Sequence, residues 1–341
     1  MDPQGRIAHQ ARYDHDVAGL AGLTAQLGRH GPVTGIAIER GEGLPVEMLQ
    51  DQGHWLFCVS PKMSARARER YRVAPGKSDA FDAFVLADSL RHEHRHWRPL
   101  AVPSPLLAEL RALTRDRERL VWNQRDTENQ LRAVVLAYHP AVLGLFSTAG
   151  KALAMLLFID QLELLNGQVH AITRRIGELL AGHPDAAVFL SVPGMGQITA
   201  ATMLAEMGED RARFPTPDTL LAETGTAPVT RASGRSRTVR FRYAANKRMR
   251  HAIDWWAFVS VREIDWARDA YDQARARGQQ HNRALRGIGA RWVRILWRCW
   301  TDSTPYDPAR HLKGSTARRT ATRKLPATPG RELRHHARRQ H

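Results

Sequence analysis

Cysteine is nearly absent from this chain: Cys58 and Cys299 are the two in 341 residues, far apart and each in apolar surroundings. That spacing excludes a disulfide framework and a paired-cysteine zinc site, and both side chains read as buried free thiols in a reducing cytoplasm. Long apolar runs are missing too. The most apolar stretch, Ala152–Leu165, is broken by Asp160 and Glu163 and is shorter than the ~20 residues a membrane span requires. The amino terminus is polar from Asp2 to Asp16, so no secretory leader is visible. Acidic charge is scarce: 34 Asp and Glu stand against 51 Lys and Arg, a net charge of +17. Such an excess calls for a polyanion, and without a membrane span the partner it points to is nucleic acid. A Walker loop, a dinucleotide fingerprint and a Ser-His-Asp arrangement are absent as well. The sixteen histidines offer no metal-ligand spacing; His92, His94 and His96 alternate, but in what reads as a solvated turn.

The length suffices for two or three domains. In the first, Arg6–Tyr13 reads as a short strand and Asp16–Leu27 as an amphipathic helix. Val33–Glu39 reads as a buried strand ending in an acid, Leu44–Gln52 as a helix and Trp55–Val59 as a second buried strand. A basic stretch, Lys62–Arg72, leads to a helix that carries Asp79 and Asp82 and runs to about Arg91. Alternating strand and helix predict an α/β layer around a central sheet over residues 1–97. A proline-bearing linker from Trp97 follows. Apolar residues at threes and fours from Leu106 to Tyr138, and from Leu162 to Leu179, then predict a long antiparallel helical hairpin over 98–182. Arg117, Gln124 and Thr127 interrupt the first seam. Residues 183–309 read as mostly helical, with a Pro193-Gly194-Met195-Gly196 turn opening a helix, and helices at Thr219–Glu223, Asn246–Arg262 and Arg283–Trp300. The turn resembles the hairpin of helix-hairpin-helix DNA-binding modules, where Gly194 and Gly196 N–H groups would meet a phosphate; it also reads simply as a loop. The tail, residues 310–341, holds ten Arg and Lys against Glu332. It is expected to be disordered and to add non-specific nucleic-acid affinity.

Three features carry chemistry. Asp79 and Asp82, three apart on a helix, share one face at about 5–6 Å and offer hard oxygen ligands suited to Mg²⁺. Glu39, ending an apolar strand, is a third candidate ligand, because a buried carboxylate is costly unless paired or metal-bound; Arg40 is a local alternative partner. Ser233 lies in a segment with eight Arg and Lys and no acid between Arg231 and Arg250. Its neighbours Arg231, Arg235, Arg237 and Arg240 could clamp a phosphate while the hydroxyl attacks it, with Arg242 and Lys247 extending the grip. Ser236 competes for the nucleophile role, and a loop that only grips DNA backbone is the plainer reading.

The ordered set is specific. An apolar strand ending in Glu, K-S-D-x-x-D-A at Lys77–Ala83, a helical hairpin, V-P-G-x-G, a basic S-G segment and T-P-Y-D-P at Thr304–Pro308 together resemble the insertion-sequence transposases with a DEDD, RuvC-like domain and a serine domain, the bridge-RNA-guided recombinases. The resemblance covers nearly all of residues 5–310. It implies an RNase H-like amino-terminal domain, with Glu39, Asp79 and Asp82 as second to fourth acids of the tetrad. It implies Ser233 as the residue that forms a phosphoserine with DNA. Mg²⁺, a guide RNA, assembly into dimers and tetramers, and a bacterial, nucleoid-associated cytoplasmic setting follow from the same likeness. The family's first acid lies on a first strand just before a turn like Asp2-Pro3-Gln4-Gly5. That strand and its Asp are therefore expected to be missing, through a misassigned start or a truncated copy, and an upstream extension of about 10–20 residues is expected to hold them. Asp14 and Asp16 belong to the next helix's cap and do not replace that acid. The alternatives are a RuvC-like Mg²⁺-dependent nuclease with a structural serine, and an inactive nucleic-acid-binding remnant.

Overall fold

The structure is a computed structural model that describes residues 1–30, 35–71, 78–138, 149–234 and 236–309. Arg72–Lys77, Arg235 and the basic tail from Arg310, all parts of the reading above, lie outside them. The chain divides into two compact units, Met1–Val102 and Pro103–His341. Among the described residues helix dominates, and strands occur as two separate pairs.

In the first unit, Asp2 to Gly5 forms the tight turn, with the Gly5 N–H donating to the Asp2 carbonyl at 3.0 Å. Arg6–Tyr13 does not form the expected strand. Among the described residues no neighbouring strand supplies a hydrogen-bonding ladder, and Ile7 is left half exposed. Asp16 caps α1 (Val17–Arg29), its carboxylate accepting from the Gly19 N–H at 2.7 Å. The strands β1 (Ile36–Ile38) and β2 (Leu56–Cys58) pair in parallel, Ile36 opposite Leu56 and Ile38 opposite Cys58. The intervening α2 (Leu44–Asp51) is the crossover that parallel pairing requires. Its Val46 and Leu49 close with Leu56 into a small core. Two helices complete the unit: α3 (Pro61–Glu69), capped by Ser60, and α4 (Asp79–Glu93), capped by Ser78. The expected central sheet is thus represented by two parallel strands. Cys58 departs from its reading: it is exposed, because it sits at the end of β2.

The second unit opens with the helical hairpin, α5 (Pro105–Tyr138) and α6 (Ala149–Gly182). The residues that interrupt the apolar seam pair across it. Arg117 Nε donates to Thr173 Oγ1 at 2.8 Å, and Gln124 Nε2 donates to Asn166 Oδ1 at 2.9 Å. Each pair moves down one helix and up the other, so the arrangement is antiparallel. Burial pushes the Arg117 guanidinium below its usual pKa. At the other end of the hairpin, Leu107, Leu110, Ile176 and Leu180 join the main core.

That core is closed by α7 (Ala186–Leu190), α8 (Gln197–Met207), α9 (Pro217–Glu223), α10 (Lys247–Glu263), α11 (Asp265–Ala276) and α12 (His281–Thr301). Trp256, Trp292 and Trp300 are fully buried. The first two stack at 5.0 Å. Each indole N–H finds an acceptor: the Pro193 carbonyl, Ser260 Oγ and Asp185 Oδ2 respectively, as buried Trp requires.

One buried acid fastens this core to the segment that follows the basic loop. Glu206 on α8 is 5% exposed, accepts from Arg115 of α5 at 3.0 Å, and accepts from Asn246 Nδ2 at 2.7 Å. Asn246 is itself the cap of α10. Burial alone would raise the Glu206 pKa, but the hydrogen bonds from Arg115 and Asn246 hold it below the ordinary carboxylate range. A depressed folded pKa stabilises the fold above the unfolded value, and that contribution fades as pH drops through the folded one. Glu206→Leu removes the buried acceptor that Arg115 and Asn246 share. It should cost about 3 kcal/mol, read as a fall in the urea midpoint at neutral pH that shrinks in acid.

Candidate functional site

The basic serine segment folds as an exposed antiparallel hairpin, β3 (Val229–Ser233) and β4 (Ser236–Arg240). Ser233 pairs with Ser236 and closes a two-residue turn. Gly234 supplies the left-handed backbone the turn needs, at φ 54°. Side chains alternate between faces along a strand, and directly paired residues share a face. Arg231 pairs with Thr238 and Arg240 with Val229, so Arg231, Arg240, Ser233 and Ser236 lie on one face. Arg237, paired with Ala232, lies on the other. The two candidate nucleophiles are therefore side by side with two arginines, while Arg237 stands behind them.

The hairpin is mounted rigidly at its base. Arg242 is half-buried and Nε donates to the Ala227 carbonyl at 3.2 Å, so part of its donor set is already used. Gly225 turns the chain at φ 71°, where an added Cβ would collide with the Arg250 guanidinium. The Asn246 N–H donates to the Glu223 carbonyl at 2.8 Å. Lys247 is exposed at the start of α10. His251 lies on the outer surface of α10.

The glycine turn is split in role. Gly194, at φ 72°, faces Trp256 and Ser260 of α10, which would lie 3.6 Å from a Cβ there. That is ordinary contact, so the left-handed backbone and not lack of space is what favours glycine here. Gly196 is exposed and caps α8 without a side-chain hydrogen bond.

In the first unit Asp79 and Asp82 both fall in the first turn of α4, where negative charge complements the helix dipole. Asp79 is exposed. Asp82 is 14% exposed and paired with Arg68 of α3 at 2.7 Å. Glu39 follows β1 and is exposed rather than buried, because the strand ends one residue earlier. Among the described residues, no three His, Cys, Asp or Glu side chains lie together closely enough to hold a metal ion.

A further acid, Asp88, was not singled out by sequence. It is buried on the inner side of α4, accepts from Arg91 at 2.7 Å, and accepts the Tyr71 hydroxyl proton. Burial and that bond to Asp88 push Tyr71 up to about 12. Asp88 lies between the buried residues Leu86 and Ser89 on α4, and its inward position on the helix was the available signal.

Acids opening a helix in one unit and an acid-free basic hairpin in the other are the marks of a polynucleotide-handling protein, and comparison with known proteins makes that class a transposase. Residues 1–140 match a DEDD transposase family model of the IS110 kind. Residues 186–272, which include the whole hairpin, match the transposase model of the IS116/IS110/IS902 family. The IS117 mini-circle protein of Streptomyces coelicolor is 29% identical over 91% of this chain and 92% of its own length. The 42 kDa protein of insertion element IS900 from Mycobacterium paratuberculosis is 28% identical over 79% of this chain and 82% of its own. The 43.6 kDa protein of insertion element IS110 from Streptomyces coelicolor is 26% identical over 77% and 80%. The chain belongs to the IS116/IS110/IS902 family of insertion-sequence transposases. Among the described residues no helix is long and apolar enough to cross a membrane.

Transposases act on DNA, and the hairpin's arginines can be tested for grip. Arg237→Ala should weaken duplex binding and reduce the slope of log K against log salt by about one phosphate's worth, ~0.9. Fluorescence anisotropy across a salt series measures it; an unchanged slope removes Arg237 from the interface.

Proposed function

We propose that this transposase cuts and rejoins DNA through attack of Ser233 on a DNA phosphate, at a site chosen by a guide RNA. The observation that carries the proposal is the hairpin tip. There Ser233 and Ser236 are paired on one exposed face with Arg231 and Arg240, so a hydroxyl and two phosphate-binding cations meet a polyanion together. In the proposed step the Ser233 Oγ–phosphorus bond forms as the bond from phosphorus to one deoxyribose oxygen breaks. The serine proton leaves to solvent and the departing sugar oxygen takes one up. Attack of a second strand's hydroxyl on the phosphoserine reverses both changes and restores the serine.

The DEDD transposase family suggests a divalent metal. Glu39, Asp79 and Asp82 offer all-oxygen ligands of the kind Mg²⁺ takes. In the present arrangement Asp82 is held by Arg68 and the three do not gather, so the residues do not fit the ion here and no step runs through it. The proposal includes an RNase H-like first unit, and assembly into dimers and tetramers in which one subunit's acids serve another's serine. The reading as a water-using nuclease with a structural serine, or as an inert remnant, is not favoured, since the family model that spans the hairpin is itself a transposase. Trapping decides the chemistry. Labelled DNA carrying the element's own end should migrate with denatured protein in SDS, and metal-dependent cleavage with no such adduct would favour the nuclease.

A further inference from the structure

We propose that Arg250 and Arg286 form a seat for one backbone phosphate of duplex DNA at the base of the hairpin, beside Phe241. The inference rests on reading the hairpin as a DNA grip, and extends that grip onto two helices of the core. Phe241 directly follows β4. The guanidinium carbons of Arg250, on α10, and Arg286, on α12, each lie 4.8 Å from its ring centroid. One ring thus orients two guanidinium groups from different helices.

Neither group is fully used. Arg250 Nη2 donates to the carbonyls of Arg242 and Tyr243 at 2.7 and 3.3 Å, but its Nε is buried without an acceptor. Arg286 is half-buried and makes no hydrogen bond or ion pair among the described residues. Asp254 and His251 are the titratable neighbours on α10. Asp254 is half-buried, and burial pushes its pKa up against the pull of Arg286, Arg250 and His251. It makes no ion pair with either arginine. Two cations on one ring against one poorly solvated carboxyl leave positive charge unmatched, with the Arg286 fork and the Arg250 Nη1 donors left to bind, while the buried Arg250 Nε adds charge but no reachable donor. Such forks match the paired oxygens of a phosphodiester. Arg240, one residue before Phe241, would carry the same strand toward the hairpin tip.

The test uses the full-length protein and labelled random-sequence duplex DNA, with duplex RNA of equal length in parallel, across a salt series. Arg286→Gln should lower DNA affinity about fivefold at physiological salt and reduce the salt slope by ~0.9. Arg286→Lys, which keeps charge but loses the fork, should recover part of the affinity. Asp254→Asn should shift the other way and tighten DNA binding a few-fold, a gain that damaged folding cannot produce. Arg237→Gln reports separately on the hairpin. If Arg237→Gln weakens binding while Arg286→Gln and Asp254→Asn leave it unchanged, the seat is overturned and the hairpin grip stands. If none of the three changes binding, both fall. If Arg286→Gln weakens RNA binding alone, the seat is not for DNA and the proposal is overturned.

Discussion

Ser233→Ala should erase the covalent protein–DNA adduct and depress strand transfer on the order of 10⁴-fold or more, the scale on which removal of an attacking hydroxyl is felt. DNA affinity should stay near normal, because the arginines that meet the phosphates are untouched. Stability should stay near normal too, since Ser233 is exposed at a hairpin tip. The assay is an SDS-resistant complex with labelled element-end DNA in an active background, read beside anisotropy. Ser236 is the built-in control. It faces Ser233 across the turn, so a hydroxyl persists at almost the same place. An adduct that survives Ser233→Ala but not Ser236→Ala would move the nucleophile by three residues. Normal recombination by both variants would end the serine mechanism.

The second large effect belongs to the acids. In the proposed assembly, where one subunit's acids serve another's serine, Asp79→Asn should abolish strand transfer while leaving DNA binding largely intact, although the three acids do not gather within a single chain. The choice between the two aspartates follows from the structure. Asp82 is packed against Arg68, so its replacement leaves a cation unpaired and mixes stability with chemistry. Asp79 is exposed in the first turn of α4. Its neutralisation forfeits a helix-dipole interaction of about 0.3–1 kcal/mol. Thermal denaturation should therefore show only a small shift, while transposition is lost. A variant that transposes at normal frequency would remove Asp79 from the catalytic set.

Helices were legible wherever caps and periodicity agreed. Asp16 was read as the cap of α1, and the structure shows Ser78 and Asn246 capping α4 and α10 in the same way, their side-chain oxygens accepting from the first free N–H groups. The turn at residues 2–5 and the two apolar strands were equally plain. Arg6–Tyr13 was not, because a strand depends on a neighbour that local sequence does not name. α11 went unread: its buried positions are Ala267 and Ala274, small residues that print no large apolar stripe. At the candidate site, the residue types were visible but their faces were not. Only the hairpin register separates Arg237 from Ser233. The contribution of Arg286 was invisible, since it comes from a helix 45 residues downstream of Phe241.

The polar pairs in the helical hairpin have a mechanical consequence. A 34-residue helix is about 50 Å long, and an all-apolar seam of that length could slip by a heptad at modest cost. Arg117–Thr173 and Gln124–Asn166 lie one heptad apart along α5 and remove that freedom, because slippage would strand all four groups at once. The two helices behave as a locked beam whose root is set in the tryptophan core. A load applied along the beam reaches that root as bending or thrust, not as sliding.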